Sequence, residues 1–121
     1  MLADKPVRDF LDAVAAPDPT PGGGSVAALA AAAGASLLLM VARLPKTRHG
    51  SDDDRHALRA CADVLVRLRA ELVDAVDADT AAYDGVTAAY RMPKGTASEQ
   101  TARKAAIQQA LRRATDVPLT V

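Results

Sequence analysis

Residues 53–91 read DDRHALRACADVLVRLRAELVDAVDADTAAYDGVTAAYR, and the periodicity of this stretch decides the fold. Leu58, Cys61, Leu65, Leu68, Leu72, Val76, Asp79, Tyr83, Val86 and Tyr90 follow one another in steps of three and four residues, the spacing that stacks side chains on one face of an α-helix. The spacing predicts one unbroken helix from about Asp53 to Arg91, about 58 Å long at the usual rise per residue. A compact core built by 121 residues does not bury a rod of that length, so other helices or another chain must cover it. The fold class read from this stretch is all-α, a helical bundle around one long central helix, completed by dimerisation.

Upstream, Val26 to Ala42 is hydrophobic at every position except Gly34 and Ser36. A helix over that stretch reaches about 25 Å, short of a hydrocarbon core of about 30 Å. Its first part is alanine and glycine, which favours close approach of another helix over contact with lipid. The expectation is a central buried helix ended by Pro45, and no membrane span. Before it, Asp4 is placed to cap a first helix with Pro6 in its first turn and Val7, Phe10, Leu11 and Val14 at helical spacing, ending near Ala16. Pro17, Pro19 and Pro21 then run into Gly22, Gly23 and Gly24, with Ser25 placed to cap the apolar helix.

Downstream, Met92 to Gly95 break the long pattern, and Ser98 opens a last helix with Ala102, Ala106, Ile107, Ala110, Leu111 and Ala114 toward the core. Val117 and Pro118 are expected to interrupt or kink it, and an end on Leu119 and Val121 just past a proline reads as a cut. The whole of 1–121 is one helical domain.

Fifteen basic residues balance fifteen acidic ones, so no global charge draws the chain to nucleic acid or to an anionic membrane. Half the residues are hydrophobic and only 2% aromatic, a composition that suits closely packed helices and argues against a β-sandwich. The single cysteine, Cys61, allows neither an internal disulfide nor a multi-thiolate metal site, and it is expected to be a small buried hydrophobe. Nothing at the N-terminus resembles a secretory signal, and the expected location is the cytoplasm. His49 and His56 have no metal-ligand spacing and are expected to be solvated; no metal site is read.

Asp79 stands out because it occupies a step of the apolar stripe. At about 100° per residue it projects within about 20° of Leu72, toward the same interior or cleft. A carboxylate there is either a satisfied interior group or a ligand-facing acid or base. Beside it Asp77, Thr80, Asp84, Thr87 and Arg91 form a polar stripe leading to Lys94, a pattern common on solvated faces. The glycine turn opening a helix can offer backbone N–H groups to a polar ligand or simply let two helices meet.

Taken together, Pro19-Thr20-Pro21-Gly22-Gly23-Gly24-Ser25-Val26-Ala27-Ala28-Leu29, Asp77-Ala78-Asp79 with Ala82-Tyr83-Asp84, Ala88-Ala89-Tyr90-Arg91-Met92-Pro93-Lys94 and Ala114-Thr115-Asp116-Val117-Pro118-Leu119 resemble the cyclodeaminase/cyclohydrolase family, in the right order over nearly the whole chain. This is the family of the cyclodeaminase part of formiminotransferase-cyclodeaminase and of bacterial methenyltetrahydrofolate cyclohydrolase. The resemblance implies a helical domain that dimerises and binds a tetrahydrofolate one-carbon derivative between helices, with no cofactor beyond that substrate. Members continue past the Val-Pro-Leu motif, so the chain corresponds to the N-terminal portion of the family domain.

In the cyclodeaminase direction, N10 of formiminotetrahydrofolate attacks the formimino carbon, ammonia leaves, and a cationic 5,10-methenyl bridge remains. The cyclohydrolase adds water to that bridge and opens it to 10-formyltetrahydrofolate. Both act on one carbon, and both use a proton-moving group and a negative charge beside a cation. The resemblance therefore implies Asp79 as the catalytic carboxylate with Asp77 second, Gly22, Gly23, Gly24, Ser25 and Tyr83 around the substrate, and Arg91 and Lys94 on the folate carboxylates. The competing reading, from a different class, is a non-catalytic helical module for self-association, or an inactive fragment of such an enzyme.

Overall fold

The computed structural model describes residues 1–44 and 51–119. A short 3-10 turn at Leu2–Asp4 precedes four helices, α1 (Val7–Ala15), α2 (Gly23–Arg43), α3 (Asp52–Tyr90) and α4 (Ala97–Leu119). The long helix therefore matches its expected span to within a residue at each end. Ser51 starts it with a reciprocal capping box: the Asp54 amide donates to Ser51 Oγ at 3.1 Å, and the Ser51 amide donates to Asp54 Oδ2 at 3.1 Å. Asp52, Asp53 and Asp54 add negative charge at the positive end of the helix.

α3 is the shared spine of the domain. α2 lies antiparallel along it from the level of Leu58 to that of Thr80, α4 packs along its C-terminal part, and the N-terminal turn and α1 meet it around Val76 and Asp77. Small residues set the α2–α3 packing. Ala28 packs with Phe10 and Val76 in one layer, and Ala32 and Ala35 pack with Leu72 in the next, supported by Leu65. Ala28 is fully inaccessible and Val76 is 1% exposed, so the helices meet there with no room for a longer side chain. Ala82, Val86 and Ala89 are buried in the second half of α3, against which α4 lies. Arg103 of α4 donates to the Tyr90 carbonyl at 3.2 Å, with its guanidinium 5.6 Å from the centroid of the Tyr90 ring.

Several local expectations are corrected. Asp4 lies in the 3-10 turn and does not cap α1, whose N-cap position is Pro6. Ser25 does not cap α2 either: the helix begins two residues earlier, at Gly23 with Gly22 as N-cap, and the Ser25 hydroxyl turns inward to α3. The last helix is capped by Thr96 and not Ser98, the Glu99 amide donating to Thr96 Oγ1 at 3.1 Å. α4 runs on through Pro118, which sits inside its last turn, and it leaves Ala102 and Leu111 exposed. Val7 and Leu11 of α1 are also exposed, so Phe10 alone anchors that helix fully. Cys61 is exposed, because at its level α2 covers a neighbouring face of α3. Pro45 and His49 fall outside the described residues, and His56 is exposed as expected.

The apolar helix is buried on one face only. Ser25, Ala28, Ala32, Ala35 and Leu39 point into the interface, while Leu37, Leu38, Met40 and Val41 are about half exposed, between 48 and 60%. Because it starts at Gly23 its 21 residues are, by length and composition alone, enough to cross a membrane. Its small-residue stripe is instead engaged against α3, a helix with charged residues along much of its length.

The packing makes a direct prediction. Ala28→Leu should lower stability by about 1–3 kcal/mol through overpacking, while Ala31→Leu on the exposed side should change it by less than about 0.5 kcal/mol, both read from urea unfolding midpoints.

Candidate active site

The proline-glycine segment is held to α3 at two points. The Thr20 hydroxyl donates to Asp84 Oδ1 at 3.0 Å, and the Ser25 hydroxyl, fully buried, donates to the Val76 carbonyl at 2.6 Å. Ser25 Oγ also lies 3.0 Å from Thr80 Oγ1. Val76, Thr80 and Asp84 are four residues apart, so they form one row along α3, and the glycine turn lies across that row. Part of the polar stripe thus holds the turn, a role that a solvated face would not have.

Between the two anchors, Gly24 meets Asp79. A Cβ built on Gly24 would overlap the Asp79 carboxylate, whereas one on Gly23 would meet nothing within 4 Å. Only glycine at position 24 leaves the carboxylate where it is. The first amide of α2 to find a helical acceptor is that of Val26, on the Gly22 carbonyl at 3.2 Å. The amides of Gly23, Gly24 and Ser25 therefore belong to the open, positive end of the helix, and the Asp79 carboxylate sits beside it.

The three nearby carboxylates are in different situations. Asp77 accepts from the Leu2 and Ala3 amides at 2.7 and 3.3 Å, which ties the 3-10 turn to α3. Asp84 takes the Thr20 hydroxyl. Among the described residues no donor reaches Asp79, and since no buried side-chain oxygen lacks a partner, its half-buried carboxylate keeps access to solvent. It is the one of the three left free to meet a ligand.

Of the residues expected at the site, the structure brings together Gly22, Gly23, Gly24, Ser25 and Asp79. Ser25 offers only its backbone to a ligand, since its side chain is used within the fold. Tyr83, exposed, lies one helical turn beyond Asp79. Asp77 points elsewhere, two residues and about 200° round the helix from Asp79. Arg91 and Lys94 are exposed at the far end of α3, and Arg91 stands about 18 Å along the axis from Asp79. Thr20, Thr80 and Asp84 are the positions holding the glycine turn that pattern reading did not single out. Thr80 and Asp84 were visible as members of the polar stripe, but which of its members hold the turn depends on where α2 docks. Five surface grooves of about 420 to 720 Å³ are lined by other residues and not by Asp79 or Gly22 to Ser25. No group of three His, Cys, Asp or Glu side chains among the described residues is arranged to share a metal ion.

A glycine turn at the head of an apolar helix, set against the Asp79 carboxylate of a long central helix, defines an all-helical domain with a candidate acid–base group on one face. Comparison with known proteins gives this class its family. Residues 6–121 match the formiminotransferase-cyclodeaminase family model, and the chain belongs to that family. It is 40% identical over 119 residues to a methenyltetrahydrofolate cyclohydrolase of Methylorubrum extorquens, covering 98% of this chain and 57% of that protein. It is 38% identical over 118 residues to the formimidoyltransferase-cyclodeaminase of Rattus norvegicus, covering 98% of this chain and 22% of the relative. The corresponding protein of Gallus gallus is 38% identical over 120 residues, with 99% and 22% covered. The chain thus spans little more than half the length of the cyclohydrolase it matches.

Gly24→Ala should displace the carboxylate without unfolding the chain. Stability should stay within about 1 kcal/mol of wild type, because alanine suits a helix and the Asp79 side chain can rotate away. The carboxyl carbon resonance of Asp79 should shift in Gly24→Ala and stay in place in Gly23→Ala.

Proposed function

We propose that this chain is the folate-handling part of a one-carbon enzyme that acts on the carbon joined to N5 and N10 of tetrahydrofolate. The reaction is that of a 5,10-methenyltetrahydrofolate cyclohydrolase or a formiminotetrahydrofolate cyclodeaminase. The observation that carries this reading is the free Asp79 carboxylate seated against Gly24; the family relatives named for these two activities supply the substrate class.

In the hydrolytic direction Asp79 takes a proton from water as the water oxygen bonds to the cationic bridge carbon. The bond from that carbon to N5 then breaks, N5 receives the proton from Asp79, and the new hydroxyl loses its proton to solvent, leaving the formyl group on N10. In the deaminating direction the same carboxylate carries the N10 proton to the departing nitrogen as N10 bonds to the formimino carbon. Ammonia leaves with one further proton from solvent, and the bridge carbon is left cationic. Both directions gain from a negative charge held beside a cationic carbon.

The amides at the head of α2 are placed to orient the pterin or the bridge. Arg91 and Lys94, displaced along the axis, suit the carboxylates at the opposite end of an elongated folate. The reading uses no cofactor beyond the folate, no nucleic acid and no membrane, and places the protein in the cytoplasm.

The active form in this reading is a homodimer. A groove lined by Leu38, Val41, Ala42, Leu58, Ala60, Cys61, Val64 and Leu65 presents no polar surface, and it adjoins the half-exposed Leu37 and Met40. Apolar surface of this kind is normally covered by another chain. The same surface favours the second reading, a self-association module without catalysis, and enzyme assay separates the two.

Asp79→Asn should lower turnover of 5,10-methenyltetrahydrofolate, followed by its ultraviolet absorbance, by about 10²-fold or more. Unchanged turnover would remove Asp79 from the mechanism. Wild-type protein should sediment as a dimer and Leu38→Asp as a monomer; a monomeric wild type over the micromolar range would exclude the dimer.

A further inference from the structure

We propose that Thr80 and Ser25 are positioning residues for Asp79: the Thr80 hydroxyl donates to Ser25, and this contact holds the neighbouring carboxylate over Gly24. The inference rests on the reading of Asp79 as the group that meets the folate bridge.

The direction of each bond follows from counting hydrogens. The Val76 carbonyl can only accept, so its 2.6 Å contact uses the single hydrogen of the Ser25 hydroxyl. The 3.0 Å contact between Ser25 Oγ and Thr80 Oγ1 then has one possible donor, Thr80. That is not the usual behaviour of a threonine in a helix, which returns its hydroxyl to the carbonyl four residues back. Thr87, Thr101 and Thr115 do so here, donating to the Tyr83, Ala97 and Leu111 carbonyls at 3.5, 3.0 and 2.9 Å. For Thr80 the carbonyl four residues back is that of Val76, the one Ser25 occupies. Its hydroxyl is therefore turned out of its own helix and onto the first turn of α2.

The consequence lies one residue back on each helix. Gly24 precedes Ser25 and Asp79 precedes Thr80, so a link between the later pair sets the distance between the earlier pair. Among the described residues Asp79 accepts no hydrogen bond that could orient it, and the backbone at Gly24 lies close against its carboxyl group. Ser25 is fully buried and Thr80 partly so, which keeps the Ser25 end of the link out of water. Neither hydroxyl needs to touch the folate to act.

The test uses the full active protein and four substitutions: Thr80→Val, which removes the hydroxyl but keeps the shape, Thr80→Ser, which restores it, Ser25→Ala, and Asp79→Asn. Thr80→Val should lower kcat for 5,10-methenyltetrahydrofolate about tenfold and leave KM within about twofold, and Thr80→Ser should recover wild-type kcat. Ser25→Ala, which removes the acceptor in place of the donor, should show the same loss. In an Asp79→Asn background Thr80→Val should have no further effect on kcat, since the residue it positions is already disabled. Wild-type kcat in a folded Thr80→Val or Ser25→Ala protein overturns the proposal. So does a tenfold loss that persists in the Asp79→Asn background, which is the mark of a merely structural role. If Asp79→Asn itself keeps full turnover, the reading of Asp79 fails first; if Asp79 is essential and Thr80→Val is silent, only the positioning pair falls.

Discussion

At the head of α2 two helices come so close that a carboxylate on one fills the space where the other would carry a side chain. Gly24 against Asp79 is a close approach that a side chain at position 24 would disturb, and the contacts around it bring the two helices to that approach. The proline-rich approach brings the chain in across α3, the Thr20–Asp84 and Ser25–Val76 hydrogen bonds anchor the turn on either side, and the alanine stripe behind it keeps the two helices close for the next three turns. Without glycine at this position the helix would start no less readily, but the carboxylate would have to move.

Close packing of this kind has an energetic character of its own. Alanine contributes little apolar area, so the α2–α3 interface gains less from burial than a leucine interface of equal length and more from contact between backbones. The larger side chains, Leu37, Leu38, Met40 and Val41, are on the outside. A helix that buries an alanine stripe with Leu39 at its end and leaves most of its other large residues outside has one surface suited to an intramolecular partner and another suited to a further chain. That division, and not low hydrophobicity, is why the apolar helix has so much of its surface uncovered.

Much of this was legible in the sequence, and the limits are physical. The ten-residue stripe from Leu58 to Tyr90 located α3 almost to the residue, because a 3.6-residue period kept over so many turns fits no other regular structure. The same stripe marked Asp79 as the misfit. What periodicity could not convey was the neighbour. It expected Cys61 to be buried with the rest of its row, but a row on a rod this long is covered only where another helix crosses it. Caps were the least legible features. Ser25, Ser98 and Asp4 all have good capping chemistry, yet Gly22, Thr96 and Pro6 occupy the positions, since a buried acceptor such as the Val76 carbonyl can draw a hydroxyl away from its own helix end.

The family motifs, the long helix, the break at the glycines and the place of Asp79 as an acid within an apolar stripe were determined by the sequence alone, because each depends on spacing along one chain or on residue identity. Which carboxylates are already engaged was decided only by the tertiary structure. Asp77, Asp79 and Asp84 are chemically the same group within eight residues of one helix, yet one is tied to the N-terminal amides, one holds Thr20, and one is free. Hydrogen-bond partners 64 to 75 residues away made that distinction, and local pattern carries no information about donors so distant along the chain.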